Sequence, residues 1–141
     1  MKTKYFILTT ILISLLASSY TETPYKKGIH FYKGSFEEAL AQAEKEKKPV
    51  FVDFYATWCA PCKALKRTSF KDGDVGDYYN KNFINVSIDA ESKEGKHIAR
   101  YYGVGSYPTM VITDYNGRKI TSTSGFKKPY ILISFGRRVI P

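Results

Sequence analysis

The chain has 141 residues and carries 22 Lys and Arg against 13 Asp and Glu, a formal net charge of +9. With 43% hydrophobic and 16% aromatic residues it can bury a proper core, which excludes a disordered chain, and its length suits one domain rather than two. Its two cysteines could complete a zinc site only by recruiting His30 and His97 from distant segments without finger spacing, so no metal is expected.

Lys2 and Lys4 give the chain a positive start, Tyr5 to Leu16 is mostly apolar, and Ala17-Ser18-Ser19 offers small residues for cleavage. This is the pattern of a secretory signal peptide over residues 1–19. The apolar run stops short of the roughly 20 residues that cross a membrane, which leaves an uncleaved anchor as the lesser alternative. Export implies an extracytoplasmic, disulfide-permissive compartment, most simply a bacterial periplasm. Residues 20–34 read as a polar leader followed by a short first strand, Ile29 to Tyr32. Lys26, Lys27 and Lys33 stand among aromatic residues here, but no nucleic-acid recognition motif accompanies them, and no nucleic-acid partner is expected. The basic surplus favours acidic partner proteins or anionic surfaces by steering.

From residue 35 helices and strands alternate. Ser35-Phe36-Glu37-Glu38 fits a capping box, Phe36, Ala39, Leu40 and Ala43 recur at helical spacing, and Lys47-Lys48-Pro49 ends that helix. Val50 to Tyr55 is apolar on both faces except at Asp53, the pattern of a central strand. A helix carrying both cysteines follows. A short helix from about Val75 to Lys81 comes after a break at Gly73, then a strand from Phe83 to Asp89 and a helix from Lys93 to Tyr102 ended by Gly103. Thr109 to Thr113 and Arg118 to Ser122 form a hairpin through Asn116-Gly117. Pro129 opens a last helix with Ile131, Leu132, Phe135 and Val139 on one face. The order fits an α/β domain, a mixed central sheet flanked by helices.

Trp58-Cys59-Ala60-Pro61-Cys62-Lys63 carries the chemistry. Where a strand turns into a helix, the first sulfur lies at the helix N-terminus, whose free N–H groups and dipole stabilise a thiolate. The second sulfur lies about one turn further in, close enough to attack a mixed disulfide on the first. An inert bridge is the plainer alternative, but a loop this short restricts the unfolded chain little.

Several motifs in order resemble the thioredoxin-like thiol–disulfide oxidoreductases, from about Phe36 to about Val139. Asp53 stands six residues before Cys59, where that family carries a buried acid; Tyr107-Pro108-Thr109 resembles its cis-proline loop; Asn116-Gly117 and Gly125 match its last hairpin and the glycine before its final helix. Two positions depart. Arg67 stands where thioredoxin has a helix-kinking proline, and Asn85 where it has a lysine thought to communicate with the buried acid. The segment from Cys62 to Phe70 is closer to thioredoxin-like domains of periplasmic thiol-transfer proteins.

The resemblance implies a thioredoxin-like domain over residues 35–141, with Cys59 as the exposed nucleophile and Cys62 as the more buried resolving thiol. Asp53 is then a proton acceptor for Cys62, its pKa raised by desolvation, although an ordinary satisfied core acid remains the alternative. Trp58, Tyr107, Pro108, Ala60 and Pro61 would line the groove for protein disulfide or dithiol clients, with packing the alternative for the aromatic pair. The reaction needs no cofactor, and a monomer is expected. The electron donor stays open, a membrane thiol–disulfide transporter being one candidate. Ala60 and Pro61 add neither charge nor donors beside Cys59, so we expect a reducing or isomerising protein with a potential of about −220 mV or lower. A binding module that grips an extended client with little turnover is the reading from another class.

Overall fold

The computed structural model describes residues 28–141, and its first elements begin and end on local sequence signals. Helix α1, Phe36–Glu46, has the full capping box: the Ser35 hydroxyl accepts the Glu38 N–H and the Glu38 carboxylate accepts the Ser35 N–H. It stops at Lys47, which adopts the left-handed conformation (φ 53°) before Pro49. Strand β1, Val50–Tyr55, is buried along almost its whole length. Helix α2, Ala60–Arg67, carries the cysteines, and a 3₁₀ turn, Ser69–Lys71, follows it. Then come α3 (Gly73–Asn82), β2 (Ile84–Asp89), α4 (Lys93–Tyr101), β3 (Thr109–Thr113), β4 (Lys119–Ser124) and α5 (Pro129–Arg137).

The four strands pair in the order β2-β1-β3-β4, so β1 is central. It runs parallel to β2, with Asp53 opposite Ser87, and antiparallel to β3, with Asp53 opposite Met110. Alternation along β1 divides the core in two. Val50, Val52 and Phe54 join Ala39, Ala43, Ala99 and Tyr102 of the α1/α4 layer. Phe51 joins Leu65, Phe70, Tyr79, Leu132 and Phe135 of the layer formed by α2, α3 and α5. Asp53, two residues on from Phe51, faces this second layer.

Four expectations need correction. Ile29 to Tyr32 does not form a strand: among the described residues its backbone bonds are Ile29 N–H to Phe70 and Tyr32 N–H to Asn85, both 2.7 Å. The Asn80 side chain takes the His30 N–H (2.8 Å) and the Asn85 side chain donates to the His30 carbonyl (3.4 Å), so side-chain amides satisfy groups that a ladder would have paired. The helix break lies at Thr68 rather than Gly73. Asp72 caps α3 by accepting the Val75 N–H at 3.1 Å, and Gly73 is already helical.

The hairpin forms through Asn116-Gly117 as expected, but its second strand runs Lys119–Ser124 rather than Arg118 to Ser122. Asp114 N–H bonds the Arg118 carbonyl, the Gly117 N–H bonds the Asp114 carbonyl, and only Gly117 has positive φ (81°). The Asp114 carboxylate shapes it by accepting the Asn116 and Arg118 N–H groups. Finally, α5 ends at Arg137 and buries Leu132 and Phe135, while Ile131 remains 38% exposed and Val139 packs on the core from beyond the helix. The residue 1–19 signal and most of the leader lie outside the described residues.

Candidate active site

The strand-to-helix turn after β1 makes Cys59 the N-cap of α2. Its sulfur accepts the Cys62 N–H at 3.2 Å, and its own N–H bonds the Ala56 carbonyl. Ala60 and Pro61 occupy the exposed first turn, where proline's missing N–H costs nothing. That turn holds no acidic side chain, and Lys66 and Arg67 lie in the last one, so helix dipole and charges act together to favour an anion at Cys59. Cys59 and Cys62 are joined in a disulfide, Cα atoms 5.3 Å apart.

Cys59 is not the exposed sulfur that was expected. Both cysteines are 2% exposed, packed with Ala56 and covered by Tyr55 and Tyr107. In the oxidised protein, burial does not distinguish the two sulfurs. Position on the helix does: Cys59 sits at the cap, and Cys62 one turn inside.

The loop before β3 approaches the same sulfurs. The Tyr107–Pro108 bond is cis, and Pro108 is buried. Gly125 N–H donates to the Pro108 carbonyl at 2.8 Å, and Thr109 Oγ1 bonds both the Ser106 carbonyl and Ser124 Oγ at 2.7 Å. Gly125 holds φ at 81°, which a side chain would strain, so the end of β4 buttresses this loop. Trp58 is 66% exposed, its ring centroid 6.1 Å from that of Tyr107, and its indole N–H donates to Glu91 at 3.0 Å. Trp58, Ala60 and Pro61 therefore form one exposed rim beside the disulfide, with the half-buried Tyr107 against it. His30 and His97 are exposed, and among the described residues no cluster of His, Cys, Asp or Glu could hold a metal.

Asp53 is 1% exposed. The Ser87 hydroxyl donates to its Oδ2 at 2.9 Å, Lys66 Nζ lies 3.9 Å from the same oxygen, and Oδ1 has no hydrogen-bond partner among the described residues. Burial raises its pKa to about 6, against the opposing pull of the Ser87 hydroxyl and the Lys66 charge. Asp53 is thus neither exposed nor a fully satisfied core acid. Lys66 and Cys62, four residues apart, share one side of α2; Asp53 lies beneath that side.

Sequence reasoning missed Ser87, Lys66 and Glu91. The first two had a signal: Ser87 stands as far into its strand as Asp53 does in β1, and Lys66 is one turn after Cys62. Glu91, on a loop 33 residues from Trp58, had none. Asn85 is 3% exposed and bound to Asn80 and His30, opposite Phe51 rather than Asp53.

A helix-capping disulfide, a cis-proline loop against it and a buried acid paired with a lysine of the same helix define a class, and comparison with known proteins agrees. The family described as the thioredoxin-like domain matches residues 36–140. The chain belongs to this family of thioredoxin-like thiol–disulfide oxidoreductases.

It is 28% identical over 109 residues to the thiol:disulfide interchange protein DsbD of Pseudoalteromonas atlantica, covering 74% of this chain but only 18% of that protein. A solved candidate disulphide-isomerase from Bacteroides thetaiotaomicron is 40% identical, with a TM-score of 0.70 over 79% of this chain and 92% of the other. The reduced C-terminal domain of Neisseria meningitidis DsbD is 26% identical, with a TM-score of 0.61 over 72% and 91%.

Proposed function

We propose that this protein is an extracytoplasmic thiol–disulfide oxidoreductase that exchanges disulfides with protein clients through Cys59 and Cys62, in the reducing or isomerising direction. The observation that carries the reading is the disulfide at the start of α2, with Cys59 as N-cap and Cys62 one turn inside. In the dithiol form the Cys59 thiolate attacks a client disulfide, forming a mixed disulfide and releasing the first client thiolate. Cys62 then gives its proton to Asp53 and attacks Cys59 Sγ. The Cys59–client bond breaks, its electron pair leaves on the client sulfur, and the pair ends oxidised. No cofactor enters. Trp58, Tyr107, Pro108, Ala60 and Pro61 bind the client.

The interchange activity named for DsbD supports the class, and the isomerase named for the Bacteroides protein supports an isomerising direction. The basic start and apolar run of residues 1–19 support export, with the catalytic domain from residue 35. A protein that reduces others in an oxidising compartment must itself be re-reduced, and a membrane thiol–disulfide transporter is the donor we favour.

Mixed-disulfide trapping tests the roles: Cys62→Ser accumulates client adducts and Cys59→Ser does not, whereas equal trapping by both overturns the assignment. A binding module without turnover would reduce no disulfide-bonded protein at all. Equilibration with glutathione tests direction. We expect about −220 mV or lower, raised by Pro61→His, and a value above about −180 mV marks an oxidase instead. The mature protein should begin near Tyr20.

A further inference from the structure

α2 carries three cations, Lys63, Lys66 and Arg67. The fold separates Lys66 from the others. Lys63 and Arg67 are exposed, but Lys66 is turned against the sheet, with its ammonium 2.9 Å from the Tyr55 ring centroid and 3.9 Å from Asp53 Oδ2. A lysine placed between an aromatic face and a buried carboxylate has exchanged much of its hydration for two specific attractions.

One side of that ammonium keeps access to water. Lys66 and Ser87 both line a cleft of about 590 Å³, floored by Ile29, Phe31 and Phe70 and bordered by Lys33 and Lys71. Trp58, Tyr107 and Pro108 are not among its lining residues. The two groups that touch Asp53 Oδ2 therefore open to a different surface from the rim beside the disulfide.

The other groups near this carboxylate are few. Met110 opposes it from β3 without a charge, Ser87 opposes it from β2, and Asp89 lies opposite Tyr55 at the end of the same strand pair. Lys66 alone, among the described residues, brings a cation within 4 Å of Asp53. Burial pushes the Lys66 ammonium down and the Asp53 carboxyl up, so each would drift towards neutrality without the other.

We propose that Lys66 is a positioning residue of the exchange reaction: it holds Asp53 as a carboxylate in the resting protein, leaving Oδ1 open for the Cys62 proton. This rests on the proton-acceptor role of Asp53 proposed above. In the step concerned, the Cys62 S–H bond breaks and an Asp53 O–H bond forms. The Cys62 thiolate then closes the Cys59–Cys62 bond while the client sulfur leaves with its electron pair. A turn of the carboxyl group then brings the protonated oxygen to Ser87, whose hydroxyl accepts that proton while releasing its own to water in the cleft; no electron moves in that transfer.

Two measurements on the full domain test this. Carboxyl-carbon NMR follows the Asp53 titration in the oxidised wild type, Lys66→Met and Lys66→Arg. The Met variant should titrate about one pH unit higher, and the Arg variant should stay near the wild type. Lys66→Gln repeats the neutral substitution should the Met variant not fold.

The second measurement is the rate of client release from a preformed mixed disulfide. A midpoint moved from about 6 to about 7 cuts the ionised fraction at pH 6 about fivefold and at pH 8 by well under twofold, so the loss of rate should follow that profile. A packing role would instead slow release equally at both pH values. An unmoved Asp53 midpoint in Lys66→Met, or equal losses at pH 6 and pH 8, overturns the proposal. The titration needs no client, so its failure stands apart from a failure of the exchange activity itself.

Discussion

β1 turns Val50, Val52 and Phe54 to one side of the sheet and Phe51, Asp53 and Tyr55 to the other. The first side meets α1 and α4 through apolar atoms alone. The second begins the same way at Phe51, then places a carboxylate, with a serine beside it, where a lysine of the disulfide-carrying helix reaches it. One strand thus supplies stability on one face and chemistry on the other. The separation is physical: desolvation that costs nothing for Val52 is what lifts the Asp53 pKa towards neutrality.

The comparison predicts that loss of function and loss of stability come from opposite faces. Removing either sulfur is the largest functional change, since Cys59→Ser and Cys62→Ser each leave no route to turnover. Both variants should nonetheless keep a urea midpoint near that of the reduced wild type, because so short a loop constrains the unfolded chain little. Unfolding of either variant in dilute buffer would contradict that division.

On the other face Phe54→Ala empties a fully buried site and should cost about 3 to 5 kcal/mol. Its glutathione equilibrium should remain within a few millivolts of the wild type. A large change in potential would mean that the two faces are not separable.

Asp53→Asn moves both quantities. The folded carboxyl titrates at about 6 against an ordinary 3.8. Stability is therefore undiminished below about pH 4, falls as pH rises while the unfolded chain ionises first, and is fully reduced once pH passes about 6. That window corresponds to about 3 kcal/mol. The asparagine variant should accordingly be more stable than the wild type at pH 8 and no more stable at pH 4, while client release slows. A lower urea midpoint for the variant at pH 8 would show that the carboxylate is well solvated after all.

The legible parts of the molecule were those set by neighbours in sequence. The Ser35 capping box, the apolar period of β1 and the position of Cys59 at a helix start all depend on a few consecutive residues, and all were readable. The failures needed distance. Asn80 and Asn85 intercept the backbone at His30 from 50 and 55 residues away, which turns a predicted strand into an extended arm. At the site, Asp53 was visible as a charge in an apolar run, while its partners had only a positional signal that the assembled fold makes readable. Ser87 becomes its neighbour only once the parallel register is known, and Lys66 only once α2 lies across β1.

The smallest effect should come from the rim. Trp58 is the chain's single tryptophan, so its fluorescence reports this site alone. Its indole N–H is held by Glu91 while its ring stands beside Tyr107, an exposed contact that water can replace at modest cost. Glu91→Ala should free the indole, lowering its fluorescence anisotropy, and weaken client binding by a few-fold at most. Potential and urea midpoint should both hold, since Glu91 touches neither the sulfurs nor the core. Glu91→Gln keeps an acceptor and should restore most of the order. If both variants bind clients as the wild type does although the indole moves, Trp58 is a cover for the disulfide rather than part of the client groove.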